Sequence, residues 1–299
     1  MSERGNHTPT GHAPPPGPPA HPPAHPPAPP TDDAGFLALN EKISRERGFG
    51  CASYKEKCLR RRIAVRMRAR GTHTYADYAR LLDQDAAEYD RLLDALTINV
   101  TKLFRNWETY DAVSRLVVPP LWALDGPSIQ VWSAGCSSGE EPYSIAALFA
   151  RYAESVGETA RLGRRVAVLG TDIDRASLVA ARRAAYEEGA FADTPTEMRA
   201  RYFSPGFPAT VVPEVRELVS FERRDLLAEP PPPGGHHLVV CRNVVIYFDR
   251  PTQEALFERF HSALLPGGYL VLGKVETLLG RARSLFAPVD PRERIFRRL

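Results

Sequence analysis

The stretch Val131-Trp132-Ser133-Ala134-Gly135-Cys136-Ser137-Ser138-Gly139-Glu140-Glu141-Pro142-Tyr143-Ser144 decides the fold. Its first part continues a short apolar run, Ile129–Ala134, that reads as a buried strand. A loop bracketed by two glycines follows, and then the helical pattern PYSIAALFARYA. Gly135 and Gly139 carry no Cβ, so a ligand can come close to the backbone there. The loop is neither G-x-G-x-x-G nor a lysine-bearing phosphate loop, which argues against a dinucleotide or ATP. On this loop alone, a plain tight turn between strand and helix explains the glycines equally well.

The rhythm repeats downstream. Residues 165–170 form a second apolar run ending in Gly170-Thr171-Asp172-Ile173-Asp174, with a helix expected to residue 186. Further strands are expected at 237–241 and at 269–273, the latter after the turn Pro266-Gly267-Gly268, with a helix over 252–265 between them. The C-terminal stretch SLFAPVDPRERIFRRL reads as a hairpin. Strands alternating with helices imply a parallel sheet covered by helices. Prolines 195, 205, 208 and 213 interrupt the pattern, and residues 190–218 are read as a small inserted subdomain. In open α/β sheets ligands bind at the carboxyl ends of the strands. An acid at the end of the second strand can accept from two ribose hydroxyls or cap the next helix; Asp172 is assigned to the ribose and Asp174 to the cap.

Before this region the pattern is helical over residues 36–94. On a helix over 54–70, Leu59, Ile63 and Met67 recur at i, i+4 and i+8 and should face a small bundle. Lys57, Arg61 and Arg68 fall on the opposite face, and residues 41–70 hold eleven Lys or Arg against three Glu. Such a face is either merely solvated or a docking surface for an acidic partner. Residues 1–32, rich in Pro, Ala, Gly and His, cannot build a core and are expected to form a disordered tail. His12, His21 and His25 read as filler in that tail rather than as metal ligands.

The net charge of +3 does not require a nucleic-acid partner, and none is expected. The four cysteines form no C-x-x-C pair, so reduced thiols and no metal centre are expected. With no signal peptide and no apolar run near the ~20 residues of a membrane span, the chain is read as soluble, cytoplasmic and monomeric, without membrane insertion.

Four segments together resemble the CheR family of chemoreceptor glutamate O-methyltransferases. They are Asn99-Val100-Thr101-Lys102-Leu103-Phe104-Arg105, then VWSAGCSSGEEPYSIA from Val131, GTDID from Gly170, and CRNVVIYF from Cys241. The resemblance covers residues 36–299. It implies an α/β fold, a class I methyltransferase Rossmann-like sheet with an N-terminal helical domain and a small inserted subdomain. The expected division is a helical domain and linker over 33–124 and an S-adenosyl-L-methionine-binding domain over 125–299. The activity implied is methyl transfer from S-adenosyl-L-methionine to glutamate side chains on the cytoplasmic helices of a membrane chemoreceptor, leaving S-adenosyl-L-homocysteine, in chemotaxis or related signal transduction.

The resemblance also implies residue roles. Asn99, Thr101 and Arg105 contact the cofactor, Glu141 meets its amino end, and Asp172 takes the ribose. Asp225 and Leu226 flank the adenine, Arg242 and Asn243 complete the pocket, and Tyr247 sits near the transferred methyl. Arg105 and Tyr247 are the candidates for catalysis by positioning. Two departures stand out: many relatives carry Asn at Asp225, and the Gly-x-Ser-Glu segment of many relatives is Gly273-Lys274-Val275-Glu276 here, which puts local substrate-side contacts in question. The competing readings are a methyltransferase of the same fold acting on RNA or a small molecule, and a receptor-binding adaptor without catalysis.

Overall fold

The computed structural model describes residues 32–97 and 101–299. Among them no helix is long and apolar enough to cross a membrane. The expected tail lies outside the described residues except for Asp32, which is the N-cap of the first helix and accepts from Gly35 N–H at 2.9 Å.

Four helices build the N-terminal unit: α1 (Asp33–Arg47), α2 (Glu56–Ala69), α3 (Tyr75–Gln84) and α4 (Ala86–Leu96). Leu59, Ile63 and Met67 are buried as the spacing requires, in a core with Phe36, Tyr75, Tyr78 and Leu92. Lys57, Arg61 and Arg68 are exposed. Arg66 and Arg70, beside the stripe, turn instead to the fully buried Glu88 at 2.6 and 3.3 Å, which also accepts from the Tyr78 hydroxyl at 2.8 Å. Burial pushes the Glu88 carboxyl up, but Arg66 and Tyr78 outweigh it and hold the group below its ordinary range. A buried carboxylate stays charged only when paired and hydrogen-bonded in this way.

The second unit begins with α5 (Trp107–Leu116) and α6 (Val118–Trp122) and continues as β1 (Ile129–Ala134), α7 (Glu140–Ser155), α8 (Leu162–Arg165), β2 (Val166–Asp172) and α9 (Arg175–Arg183). The insertion carries β3 (Ala185–Tyr186), α10 (Thr196–Tyr202), β4 (Ala209–Thr210) and α11 (Pro213–Arg216). Then come β5 (Val219–Arg223), β6 (His236–Cys241), α12 (Arg250–Ala263), β7 (Leu264–Leu272), α13 (Ala282–Leu285), β8 (Phe286–Asp290) and β9 (Ile295–Arg298). The main sheet has the order β5-β2-β1-β6-β7-β9-β8. The first five are parallel, and the C-terminal hairpin β8–β9 adds antiparallel strands at one edge. Separate apolar cores cover its two faces.

Two boundaries differ from the sequence reading. The helix after β2 stops at Arg183, because Ala185 and Tyr186 pair antiparallel with β4, so the insertion starts before residue 190. Pro266-Gly267-Gly268 is no turn ahead of the last parallel strand but an irregularity inside β7, which already pairs His236 with Leu264 before Leu238 meets Tyr269.

The carboxyl ends of β6 and β7 are tied by Glu276. Its buried carboxylate accepts from the backbone N–H groups of Gly273 at 2.6 Å, Asn243 at 3.1 Å and Ile246 at 3.3 Å. A Cβ at Gly273 would come within 2.9 Å of Asn243 N, so only glycine lets the two loops approach this closely. Gly273 and Glu276 thus tie the two strand ends together. Replacing Glu276 by Ala strands these donors, each worth about 1–3 kcal/mol when left buried without a partner. The Glu276→Ala variant is expected to unfold at clearly lower urea concentration than the wild type; an unchanged midpoint would show that the tie contributes nothing.

Candidate active site

The strand order reverses between β1 and β6, whose neighbours lead outward in opposite directions. Loops leaving the carboxyl ends of such strands diverge and open a crevice. Here the crevice has two chambers. The larger, about 630 Å³, is lined by Asp172, Ile173, Asp225, Leu226, Leu227 and Tyr247, among others. The smaller, about 410 Å³, is lined by Thr101, Arg105, Tyr110, Ser137, Glu141 and Arg242, among others. Gly135, Asn243 and Val244 line both, so the chambers form one continuous cleft.

The local backbone makes this shape possible. Gly135 has φ +77°, and a Cβ there would lie 2.7 Å from the Val244 side chain. Gly135 and Cys136 both donate their N–H to Thr171 O, at 2.8 and 2.9 Å, which folds the loop after β1 over the end of β2. Ser137 (φ 49°), Asn243 (φ 61°), Phe104 (φ 51°) and Asn106 (φ 59°) also hold left-handed conformations. Such backbone costs on the order of 1–3 kcal/mol per residue and persists only where the surroundings fix it. The fixing contacts are visible: Phe104 N–H donates to Ser144 Oγ at 2.8 Å, and Asn106 N–H to Asp193 Oδ2 at 3.0 Å.

Each side chain in the cleft has a definable setting. Asp172, at the end of β2, accepts from Ser137 N–H at 2.8 Å and Asp174 N–H at 2.9 Å, and burial raises its carboxyl above the ordinary range. Asp174 caps α9 through Ala176 N–H at 2.9 Å, as its position in the sequence suggested. Glu141, in the first turn of α7, is buried and accepts from Ser133 Oγ at 2.7 Å; burial pushes it up to about 7, with Arg242 pulling the other way. Arg242 donates to Arg105 O at 2.8 Å and lies over the Tyr110 ring at 5.0 Å, so it shapes the turn that carries Arg105. Asp225 Oδ1 accepts from Leu227 and Ala228 N–H at 2.8 and 3.1 Å, closing a turn on the chamber wall.

Every residue assigned to the cofactor or to catalysis from the sequence lines this cleft except Asn99, which lies outside the described residues. The sequence reading missed the wall supplied by the N-terminal unit: Tyr54, Leu96 and Thr97. The helical spacing marks Leu96 only as a core residue of the bundle, and nothing local marks Tyr54; only the adjacency of Thr97 to the 99–105 motif hinted at a cleft wall.

The larger chamber joins apolar walls to two acids, a setting for a flat base and hydroxyl donors. The smaller sets two guanidinium groups against one buried carboxylate, a setting for a zwitterion. Together they suit an amino acid joined to a nucleoside.

Comparison with known proteins follows the same division. Residues 34–97 match the family described as CheR methyltransferase, all-alpha domain, and residues 99–294 match CheR methyltransferase, SAM binding domain. A chemotaxis protein methyltransferase of Listeria innocua is 32% identical over 248 residues, covering 83% of this chain and 91% of that one. One of Klebsiella aerogenes is 34% identical over 267 residues, covering 86% and 88%. An uncharacterized 104.1 kDa protein in hypE 3'region of Rhodobacter capsulatus is 34% identical over 249 residues, but this chain spans only 26% of its length. An all-alpha domain followed by an S-adenosylmethionine-binding domain, with relatives matched along most of their length, shows that the chain belongs to the CheR methyltransferase family.

Proposed function

We propose that the methyl group this enzyme takes from S-adenosylmethionine goes to glutamate side chains of a chemoreceptor-type protein. The observation carrying the reading is the two-chamber cleft, nucleoside-like at one end, where Tyr247 lines it, and zwitterion-like at the other, where Arg105 does. The cofactor fits these residues on a further ground: Ser137 Oγ and Asn243 Oδ1 are buried on the cleft with no partner in the protein. Asp172 would hold the ribose, Asp225 and Leu226 the base, and Glu141 the ammonium group. Thr101, Arg105, Arg242 and Asn243 would enclose the rest, and the part given to Asn99 rests on its motif alone.

When bound, the cofactor supplies an electrophilic methyl on a positively charged sulfur that leaves as a neutral thioether. An acceptor glutamate, with an ordinary pKa near ~4.3, is ionised at neutral pH and needs no base. The protein's work is therefore to strip water from that carboxylate and aim it, a contribution of roughly 7–11 kcal/mol at best. Arg105 has the planar fork to hold one carboxylate oxygen while the other stays nucleophilic. Tyr247, whose phenol burial raises and Arg62 and Arg105 lower, stays protonated at neutral pH and can donate a hydrogen bond at the same place. The exposed Lys57, Arg61 and Arg68 on α2 form no ion pair among the described residues, whereas Arg60, Arg66 and Arg70 do. That face suits an acidic receptor helix and would raise its encounter rate at low salt.

Incubating the protein with a methyl-labelled cofactor and a soluble receptor fragment should give a label released as methanol by mild alkali. An alkali-stable label, as on a methylated base nitrogen, would contradict a carboxyl ester. The charge state of Glu141 gives a second expectation. Because the ionised form meets the ammonium group, S-adenosylhomocysteine should bind roughly tenfold more weakly at pH 6 than at pH 8, following a carboxyl near 7. Glu141→Gln should bind weakly with this pH slope removed; calorimetry showing the same slope in both proteins would sink the assignment.

A further inference from the structure

The N-terminal helical unit touches the catalytic unit at one place that the function described so far does not use. Tyr54, two residues before α2, lines the larger chamber together with Asp172, Asp225 and Leu226. Its ring packs against the apolar cores of both units. It stacks on Phe49 at 4.8 Å on its own side and meets Phe248 edge-on at 4.9 Å across the junction. The backbone around it is zipped to the loop after β6: Lys55 N–H donates to Tyr247 O at 2.9 Å, Asp249 N–H to Ser53 O at 3.0 Å, and Lys55 Nζ to Ile246 O at 2.8 Å. The same loop carries Asn243 and Tyr247 on the cleft wall. From above, Arg62 donates to the carbonyls of Ala95 and Leu96 at 2.9 and 3.0 Å and lies 5.2 Å over the Tyr247 ring. The end of α4, the start of α2 and the catalytic loop are thus held as one assembly around the nucleoside-sized chamber.

We propose that Tyr54 is a cofactor-binding residue, its ring forming the wall of the chamber that closes over the nucleoside end, so that cofactor binding fastens the N-terminal unit to the catalytic unit. The inference rests on the reading of this cleft as the cofactor site. Aromatic rings supply large, rigid contact area for a flat base, and the phenol, which burial and the nearby Asp225 and Asp172 carboxylates keep protonated, can donate toward them. Any ligand that touches walls from both units stabilises the docked arrangement over the separated one by its differential affinity. The helix fastened in this way is α2, whose outer face bears Lys57, Arg61 and Arg68. Cofactor occupancy would then set the surface that meets the acidic substrate.

The test compares S-adenosylhomocysteine affinity by calorimetry in the wild type, Tyr54→Phe, Tyr54→Ala and Asp172→Ala, alongside amide hydrogen exchange of the wild type. Tyr54→Ala should weaken binding about tenfold or more, equivalent to about 1.4 kcal/mol, with Tyr54→Phe recovering most of it. Saturating S-adenosylhomocysteine should slow exchange in a peptide covering residues 51–58. Unchanged affinity in Tyr54→Ala with lost affinity in Asp172→Ala would overturn the proposal and leave the cleft reading intact. Unchanged affinity in both would overturn the cleft reading and the proposal with it. Should Tyr54→Ala fail to fold, the exchange measurement decides: no slowing over 51–58 at saturation overturns the fastening.

Discussion

Parallel strands all present their carboxyl ends to the same side, and the reversal of order between β1 and β6 forces the loops at those ends apart. That one constraint creates the cleft. The loop after β1 must turn back over β2 without filling the gap, which Gly135 does at a φ no side chain would favour and with Val244 pressed against it. The loop after β6 must stand clear on the other side, and Asn243 takes a left-handed conformation to do so. Both loops are held by main-chain donors turned inward: those after β1 toward Thr171 O and the Asp172 carboxylate, those after β6 toward the Glu276 carboxylate. The strain at the cleft is thus supported by acceptors at strand ends.

The same economy of contacts links the two units. A helical bundle with its own core, centred on residues such as Phe36, Ile63 and Tyr78, has no need of the sheet for its internal packing. It meets the sheet through a short backbone zipper at Ser53 and Lys55 and through the aromatic ring between them. A ligand lodged across this junction has leverage over the arrangement. The internal charges of the bundle, Arg66 and Arg70 on Glu88, are consumed in holding α2 to α4. What α2 leaves outward is a set of cations with no such duty.

Much of this was legible in the sequence. The short apolar runs alternating with helical patterns from Ile129 onward pointed to the sheet, and the spacing of Leu59, Ile63 and Met67 to the inner face of α2, because both depend only on local pattern and burial. The cap at Asp174 could be read from its position ahead of α9. The tie made by Glu276 could not be read: besides Gly273 nearby, its carboxylate folds back onto the N–H groups of Asn243 and Ile246, 33 and 30 positions upstream, and a polar loop residue gives no sign of that. Tyr54 was hidden for the same reason, since it sits before a basic helix and makes its decisive contacts with Phe248 and the cleft. Asp225 lines the larger chamber, and its carboxylate is also engaged in closing a turn, which no motif announces. Local periodicity is written in the chain; long-range acceptor sharing is not.

If one cleft, spanning both chambers, holds the cofactor, its whole length must be filled on binding. A crystal structure of the protein with S-adenosylhomocysteine tests it most directly. The nucleoside is expected in the chamber of Asp172, Leu226 and Tyr54, and the amino-acid end between Arg105, Glu141 and Arg242. Ligand density elsewhere on the protein, or in the reverse orientation within the cleft, would contradict it.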